Sequence, residues 1–444
     1  MDASLFKSYD VRGVYPDELN EEAAYAIGRA TVEFLGATRL SVGRDMRASS
    51  PALHAALLQG ITEGGCDVLD LGLIITPMHL FASATQEVDG GIMVTASHNP
   101  GHYNGFKFTR PNCVPLSLSS GLDRIRDLAL RADWKTPRRI GSVSSYDIAP
   151  DYHEATRAIA PPFTGEASVI IDCANAMGAL EVPVYQSIEG LSVATLFEEL
   201  DGAFPNHEAN PLATETLDTL CEKVRAHGAD LGIAYDGDGD RIGFVDELGH
   251  PVAGDLVLAL IARTLLQANP GATILYDLRA SKAVPELIEE WGGRALECPV
   301  GHSTIKARMT EEDALFAGEL SMHYYYRDFM NAENGTLTAL ALLSIMAETG
   351  SPLSALAAEV ARYHHSGERN FIVSDTDGLM ADLALRYADG KISRLDGLKV
   401  TYPQWWFSVR ASNTEPLVRL NMEGDTLEIL HEKYDEIRAV IEEH

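Results

Sequence analysis

Residues 39–72, RLSVGRDMRASSPALHAALLQGITEGGCDVLDLG, decide the fold. An apolar run ends at Asp45, a short polar turn follows, and then a helix-length stretch leads to Gly64 and Gly65. A second apolar run closes the segment. This order describes a strand, a covering helix and a second strand parallel to the first. Ser49 or Ser50 is predicted to cap the helix, Pro51 suits its first turn, and the glycine pair ends it. The pattern returns twice. Residues 167–197 carry it with Asp172 at the end of the first strand, and residues 272–301 carry it with Asp277.

Three such units predict an α/β protein with three related mixed-sheet α/β domains. The chain after residue 366 differs. Two strand-like runs, TYPQWWFSVR and EPLVRLNMEG, precede a closing helix, LEILHEKYDEIRAVIEEH. That region reads as a smaller C-terminal α+β domain. The expected domains are 1–148, 149–250, 251–366 and 367–444. SYDIAPDY, DELGHPVAGD and RYHHSGERN are the expected linkers.

Composition narrows the function. Lys and Arg number 35 against 65 Asp and Glu, a formal net charge of −30. Nucleic acid and anionic membrane surfaces both need a basic face, so neither is an expected partner. No run approaches the roughly 18 apolar residues of a membrane span. The start, MDASLFKSYD, shows no secretory signal, so the expected location is cytoplasmic. The five cysteines, Cys66, Cys113, Cys173, Cys221 and Cys298, are scattered. Their spacing suits neither a disulfide framework nor a zinc site. Screening beyond ~8 Å still lets a local group of arginines hold a small anion in so acidic a chain.

Four stretches carry chemistry. GGIMVTASHNPGHYNGFKF, residues 90–108, begins as a buried strand and turns polar at Thr95. Ser97 stands at that strand end with His98 beside it, where a loop serving as punctuation fits and so does a nucleophile or phosphate carrier. LGIAYDGDGDRIGFVDELG, residues 231–249, puts Asp236, Asp238 and Asp240 between two strands, with glycines for tight turns. Two like charges 4 Å apart cost ~4 kcal/mol at an effective dielectric near 20, so three converging carboxylates ask for a cation. Oxygen ligands point to Mg²⁺ or Ca²⁺. An EF-hand fails, because Arg241 stands where that loop needs glycine and the flanks read as strands. An octahedral Mg²⁺ held by three aspartates keeps positions open, and a phosphoserine at Ser97 would bring a further oxygen.

SVRASNTEPLVRL, residues 408–420, sets Arg410 and Arg419 around Ser412, Asn413 and Thr414. Arginine forks and short polar side chains in a turn suit a phosphate. FAGELSMHYYYRDFMNAENG, residues 316–335, alternates Glu319, Ser321 and His323, which would share one side of an extended segment. A carboxylate beside a hydroxyl suits sugar hydroxyls.

Together and in this order, TASHNP with NGFK, DGDGDR, GE-x-S-x-H and R-x-SNT-x-P resemble the α-D-phosphohexomutase superfamily, on its bacterial phosphomannomutase and phosphoglucomutase branch. The resemblance runs from Ser8 to Leu420. It implies four domains around a central cleft and an isomerase interconverting hexose 1-phosphates and 6-phosphates, mannose phosphates first and glucose phosphates with them. It implies a phosphoserine at Ser97 and Mg²⁺ held by Ser97, Asp236, Asp238 and Asp240. A hexose 1,6-bisphosphate would be intermediate and activator. Glu319, Ser321 and His323 would read the sugar, and Arg410, Ser412, Asn413, Thr414 and Arg419 the non-reacting phosphate. Tyr9, Arg12, Lys107, Arg241, Arg279 and His302 match family positions near the transferred group or the sugar, with Arg12, Lys107, His302 and His98 as candidates for catalysis. Val300, Met322 and Glu333 depart from residues common in the family. The only expected partner is the phosphosugar, with the chain a monomer or weak homodimer. Alternatives are a phosphoglucosamine mutase, a serine-linked metal-dependent phosphatase, and a non-catalytic Ca²⁺ or sugar-phosphate binding protein.

Overall fold

The computed structural model describes residues 1–411 and 417–444. They form two compact units. One comprises Met1–Gly254 and Ser321–Leu356, the other Asp255–Leu320 and Ala357–His444.

The first unit holds two mixed sheets. In one, the neighbours run Val11–Val14, Tyr103–Arg110, Gly91–Val94, Arg39–Arg44, Asp67–Leu73 and Val143–Ser145. Arg39–Arg44 is parallel to both Asp67–Leu73 and Gly91–Val94, as the crossover pattern requires, while Tyr103–Arg110 is antiparallel to Gly91–Val94. The helices Glu21–Leu35 and Ser50–Glu63 cover it with Ile27, Leu53, Leu57 and Ile61, all without solvent exposure. In the other sheet Leu231–Tyr235 is parallel to Ala167–Asp172, which is parallel to Leu191–Leu196, and antiparallel to Ile242–Val245. The helix Gly335–Thr349 belongs to this unit. Its first residue lies against Ile242, where an added Cβ would come 3.1 Å from the isoleucine Cβ.

In the second unit Thr273–Asp277 is parallel to Arg294–Cys298 and to Phe316–Gly318. The C-terminal sheet is antiparallel, with Trp405–Ala411 paired to Leu398–Thr401 and to Val418–Gly424. Leu427–Glu442 closes the chain and buries Leu430, Ile437, Val440 and Ile441.

Each repeat Asp performs the same local task. Its Oδ1 accepts the backbone N–H two residues on, from Arg47 to Asp45 (3.1 Å), Ala174 to Asp172 (2.9 Å) and Arg279 to Asp277 (2.7 Å). This is the turn that aspartate favours at a strand end.

One local expectation is corrected. Neither Ser49 nor Ser50 makes a capping bond. Ser50 donates to Asp45, and both hydroxyls accept from the Asn104 amide. Buried tertiary partners outcompete the cap. Within RYHHSGERN, an expected linker, His364–His365 and Arg369–Phe371 are strands paired to Val418–Gly424.

Candidate active site

Ser97 sits where the strand Gly91–Val94 ends, 3% exposed and in the left-handed region at φ 52°. A non-glycine residue is held there only when its surroundings dictate it. Here the surroundings are a fully buried arginine. Arg47 Nη2 donates to the carbonyls of Ser97 (2.7 Å) and Asn99 (2.6 Å). Nη1 donates to those of Pro100 (2.7 Å) and Tyr103 (3.0 Å), and Nε to Asp45 (3.1 Å). The Ser97 N–H donates to the Thr95 hydroxyl at 2.9 Å. The hydroxyl is thereby turned to Asp236 Oδ2, 3.0 Å away.

The acidic turn arrives from the other sheet of the same unit. Leu231–Tyr235 leads in and Ile242–Val245 leads out, the strand flanks that ruled out an EF-hand. Ligand oxygens of Asp236, Asp238 and Asp240 lie within 4.8 Å of one another, and all three residues are buried. Gly237 permits the approach, since a Cβ there would stand 2.2 Å from the Ser97 carbonyl oxygen. Thr76 holds Asp238, its hydroxyl 2.6 Å from Oδ2 and its N–H 2.8 Å from the main-chain carbonyl.

The electrostatics match a cation site. Burial, then Asp240 and Asp238, push Asp236 up to about 7. Asp240 is held well below the ordinary range despite its burial, by Lys107 and His323. Lys107 Nζ reaches Asp238 (2.7 Å) and Asp240 (2.6 Å). Against the cost of burial, those two carboxylates raise its pKa further. Asp238 Oδ1 remains buried without a hydrogen-bond partner. An orphaned carboxylate oxygen in a three-aspartate cluster fits a hard divalent cation.

Further expected residues gather here. His323 Nε2 lies 3.3 Å from Asp240, and its Nδ1 is 3.1 Å from the Ser321 hydroxyl. Arg241 Nε donates to His323 at 3.4 Å and stands 4.0 Å from Asp236. Arg12, on Val11–Val14, donates to Asn99 and Asp10. Tyr9, just before that strand, is half-buried. His98 Nδ1 lies 3.3 Å from the Ser97 hydroxyl. Desolvation, then Arg241 and Arg12, lower its pKa well below the usual value, so the ring is neutral at pH 7.

In the second unit Glu319 Oε1 accepts the Gly301 N–H at 3.1 Å and lies 3.9 Å from Arg279. His302 opens the helix His302–Glu311. Arg410 and Arg419 are cross-strand partners. Ser412, Asn413 and Thr414 lie outside the described residues. Residues 319–323 form a turn with Met322 at φ 68°, not the extended run that the alternation assumed.

Sequence reasoning missed Arg47. A signal was present, for Arg47 follows Asp45 as Arg279 follows Asp277, and each pairs with its aspartate.

Comparison places this geometry. Residues 3–135, 151–249 and 253–363 match the phosphoglucomutase/phosphomannomutase alpha/beta/alpha domains I, II and III, and residues 368–440 match the C-terminal domain. The chain belongs to the phosphoglucomutase/phosphomannomutase family. It is 37% identical to a phosphomannomutase of Escherichia coli, covering 99% of each chain. It is 38% identical to a phosphomannomutase/phosphoglucomutase of Pseudomonas aeruginosa strain PAO1, covering 96% of this chain and 93% of that one. A solved structure of a phosphoglucomutase/phosphomannomutase family protein from Burkholderia thailandensis superposes with a TM-score of 0.91. It is 33% identical, over 99% of this chain and 97% of that one. The expected family and four-domain α/β class are thus both found.

Proposed function

We propose that this protein is a phosphomannomutase that also acts on glucose phosphates, moving a phosphoryl group between O1 and O6 of a hexose through phosphorylated Ser97. One observation carries the reading: the Ser97 hydroxyl stands 3.0 Å from a carboxylate of a buried aspartate triad on the facing sheet. The names of full-length relatives support the substrate class.

Asp236, Asp238 and Asp240 would hold Mg²⁺ together with the Ser97 phosphate. When bound, the ion supplies neutralisation of charge on the transferred phosphoryl group. The protein's own residues do the rest. Arg47 fixes the loop so that Oγ faces the triad. The bond from Ser97 Oγ to phosphorus breaks as one forms from the sugar hydroxyl, and the proton given up by that hydroxyl ends on Ser97 Oγ, restoring the serine. The hexose 1,6-bisphosphate turns, and its other phosphate returns to Ser97, so added bisphosphate acts as activator. Arg12 and Lys107 bring positive charge to the group in flight, and His98 and His302 are the other candidates for catalysis. Glu319, Ser321 and His323 read the sugar, with Tyr9, Arg241 and Arg279. Arg410, Ser412, Asn413, Thr414 and Arg419 hold the phosphate that does not react. The domains run 1–148, 149–250, 251–366 and 367–444, and the enzyme works in the cytoplasm as a monomer or weak homodimer. No single helix among the described residues is long and apolar enough to cross a membrane.

The deciding experiment replaces Ser97 with Ala and follows both isomer and inorganic phosphate from mannose 1-phosphate, with catalytic bisphosphate present. Isomer formation should vanish in the variant, and the native enzyme should release isomer far in excess of phosphate. Phosphate release in place of isomer would make the protein a phosphatase.

A further inference from the structure

Three guanidinium groups of the second unit close on one carboxylate. Arg279 Nη1 lies 3.4 Å from Glu368 Oε2, Arg419 Nη1 3.4 Å from Oε1, and Arg410 Nη2 4.0 Å from Oε2. The fit is loose. Arg410 is 4% exposed, yet among the described residues its Nε has no hydrogen-bond partner, and the anions beside it there, Glu368 at 4.0 Å and Asp396 at 3.6 Å, lie beyond hydrogen-bond reach. A buried guanidinium in that state is costly unless an anion completes it. Two coplanar carboxylate oxygens cannot serve three forks from three directions, whereas the three outer oxygens of a phosphate ester can.

Charge adds a second constraint. The three arginines already face the carboxylates of Glu368, Asp277 and Asp396, and Glu319, tied by the Gly301 N–H, lies 3.9 Å from Arg279. An arriving dianion meets a cluster whose positive charge is already fully offset, so a resident carboxylate must withdraw. Asp277 has no exposure and is tied by the N–H groups of Arg279 and Leu320. Asp396 accepts the Val300 N–H at 3.2 Å. Glu368 has one hydrogen bond among the described residues, from Arg279 at 3.4 Å, and its side chain is 27% exposed. It is the least anchored of the four and has a way out to solvent.

Building on the phosphate-holding role proposed for Arg410 and Arg419, we propose that Glu368 is an internal stand-in for the substrate phosphate: it occupies the arginine cluster in the free enzyme and competes with the ester. Such a competitor keeps the grip weak enough for a bisphosphate intermediate to let go of one end and return by the other.

The test measures dissociation constants of inorganic phosphate and mannose 6-phosphate by calorimetry in the native enzyme, Glu368→Gln and Arg410→Gln. Glu368→Gln should bind both about tenfold more tightly, with a lower KM and a lower kcat as release slows, and tenfold corresponds to about 1.4 kcal/mol. Arg410→Gln should bind more weakly. Unchanged or weaker binding in Glu368→Gln, with Arg410→Gln weakened, would overturn the stand-in and leave the phosphate site intact. Unchanged binding in Arg410→Gln would overturn the phosphate site and the stand-in with it. Glu368→Asp, which draws the carboxylate back by one methylene, should shift binding the same way by less. It decides the matter on the same criteria should Glu368→Gln fail to fold.

Discussion

Arg47 has no solvent exposure, and all five N–H groups of its guanidinium are committed to one carboxylate and four carbonyl oxygens. Lysine offers charge and three donors but no fork. Arg47→Lys should therefore leave the fold intact and loosen the Ser97 loop. Displacement of a reacting atom by about 1 Å can cost on the order of 10²-fold in rate. The expected result is a kcat lower by about that factor with KM little changed, because Arg47 does not touch the sugar. A loosened loop should also lose more phosphoserine to water, read as inorganic phosphate per turnover, which a purely stabilising residue would not alter. At the same scale Gly237→Ala should abolish turnover, since its Cβ would press on the Ser97 carbonyl.

Among the elements, the end of the strand Ala167–Asp172 holds a titrating pair. His207 Nε2 lies 3.1 Å from Asp172 Oδ2, and its Nδ1 lies 2.9 Å from the Glu208 carbonyl. Two acceptors favour the imidazolium. Burial opposes it, but the bond to Asp172 prevails, and the folded-state pKa rises above the usual 6.5. A raised value means that folding binds this proton more tightly. The stabilisation is full below about pH 6.5 and fades as pH climbs through the folded-state value. The urea midpoint should accordingly fall between pH 6 and pH 8, and fall less in His207→Gln. Nearby, Tyr235 shares its hydroxyl with those of Tyr185 (2.5 Å) and Thr336 (2.7 Å) in a buried chain. Tyr235→Phe takes a partner from the buried Tyr185 hydroxyl, while Thr336 keeps Glu181, and should cost about 1–3 kcal/mol, read as a lower Tm.

What the sequence disclosed at this scale was local. The aspartate turn between strands, the parallel crossovers and the C-terminal strands and helix all follow from patterning within a few residues. Ser49 and Ser50 were misjudged because Asp45 and Asn104, which claim them, enter only through folding. The turn at Met322 was misjudged because alternation implies one face only when the backbone is extended. Glu368 drew no notice because nothing in RYHHSGERN indicates arginines that arrive from residues 279, 410 and 419.

Across the whole molecule, five cysteines are all buried. Burial, aided by neighbouring carboxylates, pushes Cys66 up to about 12, and burial first among its causes pushes Cys298 up to about 11. Cys173 and Cys221 are raised for the same leading reason. Thiols so held stay protonated and unreactive. Native protein at pH 8 should give little reaction with a disulfide reagent, and all five thiols should react after unfolding in urea. The formal charge of −30 is screened beyond ~8 Å, so the arginines around Glu368 act on an anion only at close range.

The first unit is assembled from two stretches, and its second stretch, Ser321–Leu356, includes His323, which lies beside the aspartate turn. On the ribosome, Ser97 and the three aspartates emerge long before it. The nascent unit cannot close its core until Leu356, about four-fifths of the way along these 444 residues, has been made. His323 therefore joins the aspartate turn only late in synthesis, and a polypeptide abandoned earlier leaves Asp240 without that neighbour.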